Sequence, residues 1–378
     1  MRILHLSDYG LPDWRIEKSA ISASNLGHEV MFAGMRLNNY NGEAFSKVYE
    51  VSWTERARRG FPFYWQSVKR QVGRVLGDAK PDIVHAHNVF AARMISEFGL
   101  PFVYDNHEYW SVYVRRQAES VRATSQAITG GIVRRTARRL ARYLLMRRAI
   151  YLWSKWERKL VSTTPTITVS DRIAAELKAT GSADKVFVVP NFPLMEEVKD
   201  FERPRYHTTL SSVYAGLEAQ GTIKPAHRNI DGLTDVFNDH NIGYLCIIGS
   251  KGESSKGVDY KGFLPRQEMY REMFSHSIGL VPMKKHWSHV YISPNKAYEY
   301  AHAGLFVMCT SSFETVSAIL RENCATFQDY ADMASQLEYF KDNMDELYKK
   351  RLKIFEFARN HLIWERYQNN IFRAYQTC

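Results

Sequence analysis

The protein has 378 residues, 45% of them hydrophobic and 24% charged, and a formal net charge of +11. This composition excludes a disordered or fibrous chain, and the length predicts two domains. No apolar run approaches the roughly 18 residues that a membrane-spanning helix needs, and the opening "MRILHLSDYG" lacks the apolar segment of a secretory signal. We therefore expect a cytoplasmic protein.

The cysteines and the basic residues are distributed very differently. Cys246, Cys309, Cys324 and Cys378 are scattered without a CxxC spacing, which argues against a zinc site and against a disulfide framework. Residues 111–160, in contrast, contain 13 Arg and Lys but only two acidic residues, so the whole excess of charge lies in one segment.

The first half of the chain alternates between apolar strands and helical patterns. "RILHLSD", "WRIEKSAISASNLG" and "HEVMFAG" form one strand, helix and strand, and the alternation continues through "PDIVHAH", "PFVYDNHE" and "TITVS" to "KVFVVPN". Such a series predicts a parallel sheet with helices on both faces.

A second series of the same kind follows a break at "NFPLMEEVKDFERPRYHTT". It runs from "SSVYAGL" through "IGYLCIIGS" and "IGLVPM" to "LFVMCTS". We predict two doubly wound, Rossmann-like α/β domains facing across a cleft, with ligands at the carboxyl ends of the strands. The predicted parts are residues 1–195, a linker at 196–205, a second domain at 206–355, and a C-terminal helix at 356–378 that packs back on the first domain.

A short helix late in the second series carries two opposite charges. In "SPNKAYEYAHAGLFVMCT", Ser293 and Pro294 fit the N-cap and the first helical position, and Gly304 fits the end of the helix. The helix start and Lys296 favour an anion, whereas Glu299 suits a pair of sugar hydroxyls, so together they fit a nucleotide. Locally, an ordinary surface ion pair between Lys296 and Glu299 is the competing interpretation.

This helix resembles the "PNK-x-x-EY" element of family 4 glycosyltransferases, which are retaining enzymes of the GT-B architecture. "PDWRIEKSAISASNLGHEV", "PDIVHAH", "VYDNHEYW", "VFVVPNFP" and "HRNIDGLTDVF" are similar to further elements of that family, in the same order and along nearly the full chain. The resemblance implies a GT-B fold, a nucleotide-sugar donor, and a reaction without a metal or other cofactor.

The resemblance also implies a set of donor-binding residues in the second domain. Glu299 is expected at the donor ribose, and Pro294, Asn295 and Lys296 near the diphosphate. The basic residue on the diphosphate is expected to be Lys224 or Arg228, next to Gly216. The chain departs from the family at Tyr291, where many members have Glu, and around Gly216 and Lys224, which are followed by Leu217 and Pro225.

In the first domain, the resemblance points to the end of a buried strand and to the first loop. Asp105, His107 and Glu108 are the candidate catalytic group, with His107 beside the transferred sugar, although a histidine that only bonds a loop is the alternative. The loop from Gly10 to Arg15 is expected at the donor phosphates or the acceptor. Asp13 and Arg15 can instead pair only with each other.

The basic segment predicts an interfacial helix. Arg134, Arg135, Arg138, Arg139 and Arg142 fall on one half of a helix, and Ile132, Val133, Ala137, Leu140, Tyr143 and Leu144 fall on the other. This profile favours an anionic membrane surface, with Trp153 and Trp156 as possible anchors. A solvated Arg-rich helix, a nucleic-acid patch and an oligomer contact are the alternatives.

Together these features predict a glycosyltransferase of hexosyltransferase type at the cytoplasmic membrane face. It would transfer sugar from a UDP- or GDP-sugar to a saccharide or lipid-linked acceptor in glycan, polysaccharide or glycolipid synthesis, without binding nucleic acid. The alternatives are a nucleotide-sugar epimerase or hydrolase of the same architecture, and a non-catalytic basic nucleic-acid or scaffold protein.

Overall fold

A computed structural model describes residues 1–35, 44–124, 132–181, 183–216, 225–240 and 242–378. The chain divides into two compact units, which we call unit 1 (Met1–Asn191 with Tyr367–Cys378) and unit 2 (Phe192–Arg366). The chain passes from unit 1 to unit 2 after Asn191, a few residues before the boundary expected at residue 195. Residues 196–205, which were expected to form a linker, belong to unit 2.

Unit 1 is built on one parallel sheet. Its strands are β1 (Arg2–Gly10), β2 (Glu29–Met35), β3 (Lys47–Glu50), β4 (Ile83–His87), β5 (Phe102–Asn106), β6 (Thr166–Thr168) and β7 (Val186–Val188). Its helices are α1 (Trp14–Asn25), α2 (Pro62–Ala79), α3 (Asn88–Ile95), α4 (Trp110–Thr124), α5 (Ile132–Thr163), α6 (Asp171–Thr180) and, at the end of the chain, α14 (Asn369–Gln376).

The strand order of this sheet is β3-β2-β1-β4-β5-β6-β7. Every pair of these strands that the structure describes is parallel. The order reverses between β1 and β4, so their carboxyl ends flank the topological switch point where ligands of such sheets bind. The doubly wound sheet expected from the alternating pattern is confirmed.

Helix α5 has two different halves. Residues 136–144 are exposed on every side, including Leu140 at 57% and Leu144 at 56%. Trp153, further along, is only 5% exposed and packs edge-on against Phe90 and Trp110 at 4.9 and 5.7 Å between ring centroids. The prediction that Trp153 anchors the helix at a membrane was therefore wrong, because the tryptophan fixes this half of the helix to the core.

Unit 2 repeats the architecture. Its strands are β8 (Ser211–Ala215), β9 (Tyr244–Ile248), β10 (Val258–Gly262), β11 (Ile278–Val281), β12 (Phe306–Thr310) and β13 (Cys324–Phe327). Its helices are α7 (Met195–Val198), α8 (Leu233–Asp239), α9 (Arg266–Phe274), α10 (Asn295–His302), α11 (Glu314–Leu320), α12 (Tyr330–Asp342) and α13 (Met344–His361).

The strand order in unit 2 is β10-β9-β8-β11-β12-β13, and the described pairs are again parallel. The switch point lies between β8 and β11. Both units thus have the doubly wound, Rossmann-like organisation of a GT-B fold.

The C-terminal residues contribute to both units. Helix α13 belongs to unit 2, and α14 belongs to unit 1, where the Tyr375 hydroxyl lies 2.7 Å from His85 Nδ1. The segment expected as one helix from residue 356 is thus divided after His361. Among the residues that the structure describes, no helix combines the length and the hydrophobicity that a membrane span requires.

Candidate active site

The centre of the polar cluster in unit 1 is a buried ion pair at the end of β5. Asp105 is 1% exposed, and the Arg15 guanidinium donates to it from Nη2 at 2.7 Å and from Nε at 3.0 Å. Arg15 also donates from Nη1 to the Val189 carbonyl at 2.8 Å and to Asn191 Oδ1 at 2.7 Å. The pair joins α1 to β5 and to the chain after β7.

Asp13 and Arg15 therefore have structural partners within unit 1. Asp13 is the N-cap of α1, and its carboxylate accepts from the backbone N–H groups of Arg15 and Ile16 at 3.0 and 3.2 Å. The guanidinium of Arg15 pairs with Asp105, so Asp13 and Arg15 do not pair only with each other. Gly10, from the same loop region, is buried at the end of β1.

The charges around Asp105 fix the protonation of its neighbours. Burial alone would raise the pKa of Asp105, but Arg15, His107 and His85 hold it well below its usual range. An ionised carboxylate only accepts hydrogen bonds, so His85 Nε2, at 3.2 Å, carries the proton. Burial lowers the pKa of His85, and the neutral ring then accepts from the Tyr375 hydroxyl at Nδ1.

A chain of three imidazoles reaches outward from the core. His5 Nδ1 lies 2.9 Å from His87 Nε2, and His87 Nδ1 lies 2.9 Å from His107 Nε2. His5 Nε2 is buried without a hydrogen-bond partner among the described residues, and a lone pair is less costly to bury there than an N–H. We therefore assign the His5 proton to Nδ1. His87 then donates to His107 Nε2, so we assign the proton of His107 to Nδ1.

His107 and Glu108 are the members of the candidate group that reach the surface. The side chain of His107 is 13% exposed, and that of Glu108 is 44% exposed and lies 3.3 Å from Arg116 Nη2. Asp105, the third member of the group, is 1% exposed and accepts from Arg15 and His85, and its expected catalytic role stays a prediction.

Glu157 of α5 accepts hydrogen bonds from the end of β5 and the start of α4, on either side of His107 and Glu108. It is 1% exposed and accepts from the backbone N–H groups of Trp110 and Ser111 at 2.8 Å each, and from Asn106 Nδ2 at 3.1 Å. It thereby satisfies the free N–H groups at the start of α4, directly after His107 and Glu108. Burial raises the pKa of Glu157, with these donors opposing the shift.

Two sets of these side chains have the composition of metal ligands. His5, His85 and His87 form one, and His87, Asp105 and His107 form the other. In the first set the rings are stacked at 14–21°, which prevents their lone pairs from converging on one point. In the second, the two histidines lie at the hydrogen-bond distance of 2.9 Å, and Arg15 pairs with Asp105. Both sets are better explained as hydrogen-bond networks, and a sugar-transfer reaction without a metal stays a prediction.

In unit 2, Lys296 lies against the end of β8. Its Nζ is 4.2 Å from the centre of the Tyr214 ring, and a Cβ at Gly216 would come within 2.4 Å of that nitrogen. Glycine at position 216 therefore leaves the space that Lys296 fills. Burial lowers the pKa of Lys296 to about 7, with Arg228 adding to the effect and Glu299 opposing it.

Glu299 is held by an arginine and not by Lys296. Arg266 Nη1 donates to Glu299 Oε1 at 3.2 Å, and Arg266 Nε donates to Glu197 Oε1 at 2.8 Å. The side chain of Glu299 is 12% exposed. Glu299 therefore pairs with Arg266 and not with Lys296, which was the competing interpretation of the sequence. It is also not left unpaired for a ribose, as the nucleotide interpretation expected.

The helix that carries both residues starts one position later than expected. Pro294 has an extended backbone, with ψ at 122°, and is the N-cap, so that Asn295 is the first helical residue. Ser293, the expected cap, has its hydroxyl 2.5 Å from that of Tyr298. Gly304, with φ at +67°, follows the helix as expected.

The remaining donor candidates lie nearby in the chain. Arg228 ends a short 3₁₀ turn and is exposed, and its charge acts on Lys296. Lys224 lies outside the described residues. Tyr291 ends another 3₁₀ turn shortly before α10 and is half-buried.

Glu157, Arg266 and Tyr300 were not selected from the sequence. The Tyr300 hydroxyl accepts from the Ala215 N–H at 2.7 Å and so joins α10 to β8. Arg266 is 33 residues from Glu299 and has no local signal. Glu157 does have one, because it is one of only two acidic residues in the basic segment 111–160. A lone acidic residue in such a segment suggests a specific partner.

Comparison with known proteins shows what the chain is similar to. Residues 20–192 match the model of Glycosyltransferase Family 4. The structure of sucrose-phosphate synthase from Thermosynechococcus elongatus matches over 100% of this chain and 99% of its own, with a TM-score of 0.69 and 11% identity. The first half of the chain is thus similar to family 4 glycosyltransferases, and the similarity of fold extends over both units.

Two further structures have the same fold. The structure of Anabaena HepE in complex with UDP-glucose matches over 100% of this chain and 99% of its own, with a TM-score of 0.68 and 11% identity. WaaG, a glycosyltransferase involved in lipopolysaccharide biosynthesis, covers 98% of both chains with a TM-score of 0.59 and 14% identity. No curated protein sequence matches the chain.

Proposed function

We propose that this glycosyltransferase transfers a hexose from a UDP-sugar to a saccharide or lipid-linked acceptor, with retention of anomeric configuration. The observation that carries the proposal is the arrangement of Lys296 and Glu299 around the end of β8, beside Gly216. These groups supply a cation and a carboxylate at the switch point of a nucleotide-binding type of sheet.

A diphosphate suits the surroundings of Lys296. Without an anion, burial and the charge of Arg228 disfavour the ammonium form. A bound diphosphate would reverse this effect and accept hydrogen bonds from Lys296 and from the free N–H groups at the start of α10. The same groups would stabilise the nucleoside diphosphate as it leaves.

The proposed ribose contact rests on Glu299, and the proposed identity of the base rests on one structural relative. Arg266 orients Glu299 through Oε1, which leaves Oε2 to accept from a ribose hydroxyl. HepE has been solved with UDP and with UDP-glucose, and on this similarity of fold we propose a uridine nucleotide for this chain.

His107 provides the contact to the transferred sugar. The imidazole chain behind it fixes its orientation and leaves Nδ1–H to donate to a sugar hydroxyl. Asp105 is buried and paired with Arg15, so it cannot act as a nucleophile. We therefore propose that the leaving phosphate oxygen accepts the proton of the acceptor hydroxyl on the same face of the sugar.

The experiment measures released nucleoside diphosphate from a panel of UDP- and GDP-sugars, with and without membrane extract as acceptor. We expect release from one UDP-sugar that depends on the extract, and loss of most of it in Glu299→Gln. Release without acceptor would favour a nucleotide-sugar hydrolase or epimerase. Absence of donor binding, with Glu299→Gln indistinguishable from the wild type, would refute the enzyme assignment of these residues.

We further propose that the exposed half of α5 binds the anionic cytoplasmic face of a membrane. Arg138, Arg139 and Arg142 are exposed, and so are Leu140, Tyr143 and Leu144 on the same turns. The side chains of Arg134 and Arg135, also expected at the membrane, are outside the described part of the structure. Basic and apolar groups at one place suit anionic lipid.

Vesicle sedimentation tests this contact. The protein should bind phosphatidylserine-containing vesicles and not neutral ones, and a variant with Arg138, Arg139 and Arg142 changed to Glu should lose binding. A variant with Arg172 and Lys178 on α6 changed to Glu is the matched control. Equal binding to both vesicle types, or tighter binding to single-stranded DNA than to lipid, would contradict the proposal.

A further inference from the structure

Three side chains from distant parts of unit 2 meet on one face of its sheet. Cys246 lies in the middle of β9, Glu272 lies on α9, and His276 lies just before β11. Cys246 Sγ is 3.7 Å from Glu272 Oε1, and His276 Nε2 is 3.6 Å from the same oxygen. All three potential ligand atoms lie within 4.8 Å of one another.

His276 is the unusual member of this cluster. It is 1% exposed, and among the residues that the structure describes neither ring nitrogen has a partner within hydrogen-bond distance. Nε2 has only the 3.6 Å approach to Glu272 Oε1, which is an ion-pair distance. A buried polar atom left in this way is costly, so it needs an explanation. The buried histidines of unit 1 differ, because His85 and His87 each bond through both nitrogens.

The spacing suits a tetrahedral metal ion. Zinc binds thiolate at about 2.3 Å and imidazole or carboxylate at about 2.0–2.2 Å, which separates neighbouring ligand atoms by roughly 3.3–3.6 Å. Two of the three separations here, 3.7 and 3.6 Å, lie within a few tenths of an ångström of that range. Small side-chain rotations would bring the three atoms onto one ion.

A lysine ammonium group lies beside the cluster. Asp259 of β10 is the cross-strand neighbour of Cys246. The Lys261 ammonium lies 2.9 Å from Asp259 Oδ2 and 3.6 Å from Glu272 Oε1. Its side chain is 39% exposed, so it can move into solvent. The surroundings thus hold two carboxylates that attract positive charge, and Lys261 is the group that an ion would displace.

We propose that Cys246, Glu272 and His276 bind a borderline-soft divalent cation of the Zn²⁺ class, with Asp259 or water as a further ligand. A thiolate and an imidazole select such an ion over Mg²⁺ or Ca²⁺. The ligands lie in the middle of β9 and before the start of β11, away from the carboxyl ends where Lys296 and Glu299 act. The ion therefore ties α9 to the sheet and takes no part in sugar transfer.

Metal titration of the full-length protein, after treatment with a chelator, tests the site. Co²⁺ is the first probe, because a thiolate ligand gives it a charge-transfer absorption band. We expect one Co²⁺ per chain with this band, its displacement by Zn²⁺, and a rise of a few degrees in Tm with saturating Zn²⁺. Cys246→Ser should abolish the band, and His276→Gln should weaken binding at least tenfold. Cys309→Ser, another buried cysteine of unit 2, should leave both unchanged.

Lys261→Met provides a test that does not disturb the core. Removing the competing ammonium should tighten Zn²⁺ binding several-fold, whereas unchanged affinity would overturn the assignment of Glu272 as a ligand. Absence of stoichiometric binding overturns the whole proposal. So does binding that survives the combined Cys246→Ser and His276→Gln change but disappears in His87→Gln, because the ion would then belong to unit 1.

Discussion

Nucleotide binding should depend on pH through Lys296. A fall in pKa from the ordinary 10.5 to about 7 means that the half-buried site opposes the ammonium form by about 5 kcal/mol, at about 1.4 kcal/mol per pKa unit. A bound diphosphate supplies the missing negative charge and raises the pKa again. The complex therefore takes up a proton above pH 7, and affinity falls as the pH rises.

The expected size follows from this linkage. Between pH 7 and the pKa in the complex, the Kd for UDP should increase by up to tenfold per pH unit, or up to about 50-fold from pH 7 to pH 9, since Lys296 is half protonated at pH 7 in the free protein. Lys296→Met should bind about 10–100-fold more weakly than the wild type at pH 7, as expected for loss of a charged hydrogen bond. Its Kd should then change little up to pH 9, because the titrating group is gone.

Isothermal titration calorimetry with UDP at pH 7, 8 and 9 and constant ionic strength measures these values. The series starts at pH 7 because a phosphate group itself titrates near pH 6. Lys353→Met, at an exposed position on α13, is the control and should follow the wild type. A wild-type Kd that is constant from pH 7 to 9, or an equal increase in Lys296→Met, would refute the reasoning.

Three further substitutions, with one control, test the residues around Asp105 in unit 1 and around Lys296 in unit 2. Asp105→Asn leaves Arg15 buried without its counter-ion and should lower the stability of unit 1 by about 3–5 kcal/mol, measured by urea unfolding. Asp78→Asn is the control, because Asp78 lies in an exposed ion pair, and it should leave the urea midpoint nearly unchanged. Glu299→Gln should weaken UDP binding by about tenfold or more without a change in Tm, and a preserved Kd would exclude the ribose contact. Gly216→Ala places a Cβ 2.4 Å from Lys296 Nζ, so UDP binding should weaken while its pH dependence changes.

The order of strands and helices was predictable because it depends on local patterns. Apolar runs of strand length separated by helical periodicity defined both sheets, and Gly304 marked the end of α10 through its left-handed backbone. The start of that helix was displaced by one residue, since Ser293 bonds Tyr298 and does not cap the backbone.

The partners of the site residues were not predictable in the same way. Arg15 and Asp105 are 90 residues apart, and Arg266 and Glu299 are 33 apart, so no periodicity relates them. The position of Trp153 depends on Phe90 and Trp110, which reach it only through the folded sheet. Composition alone could not distinguish an aromatic anchor at a lipid surface from one in the core.

The return of the chain from unit 2 to unit 1 has a consequence for synthesis on the ribosome. Residues 1–191 emerge first, but the helix that carries Tyr375 emerges last, after all of unit 2. Until then His85 lacks its tyrosine partner, and α14 cannot cover β5, β6 and β7. The unit that begins to fold first is therefore completed only after unit 2 has been synthesised.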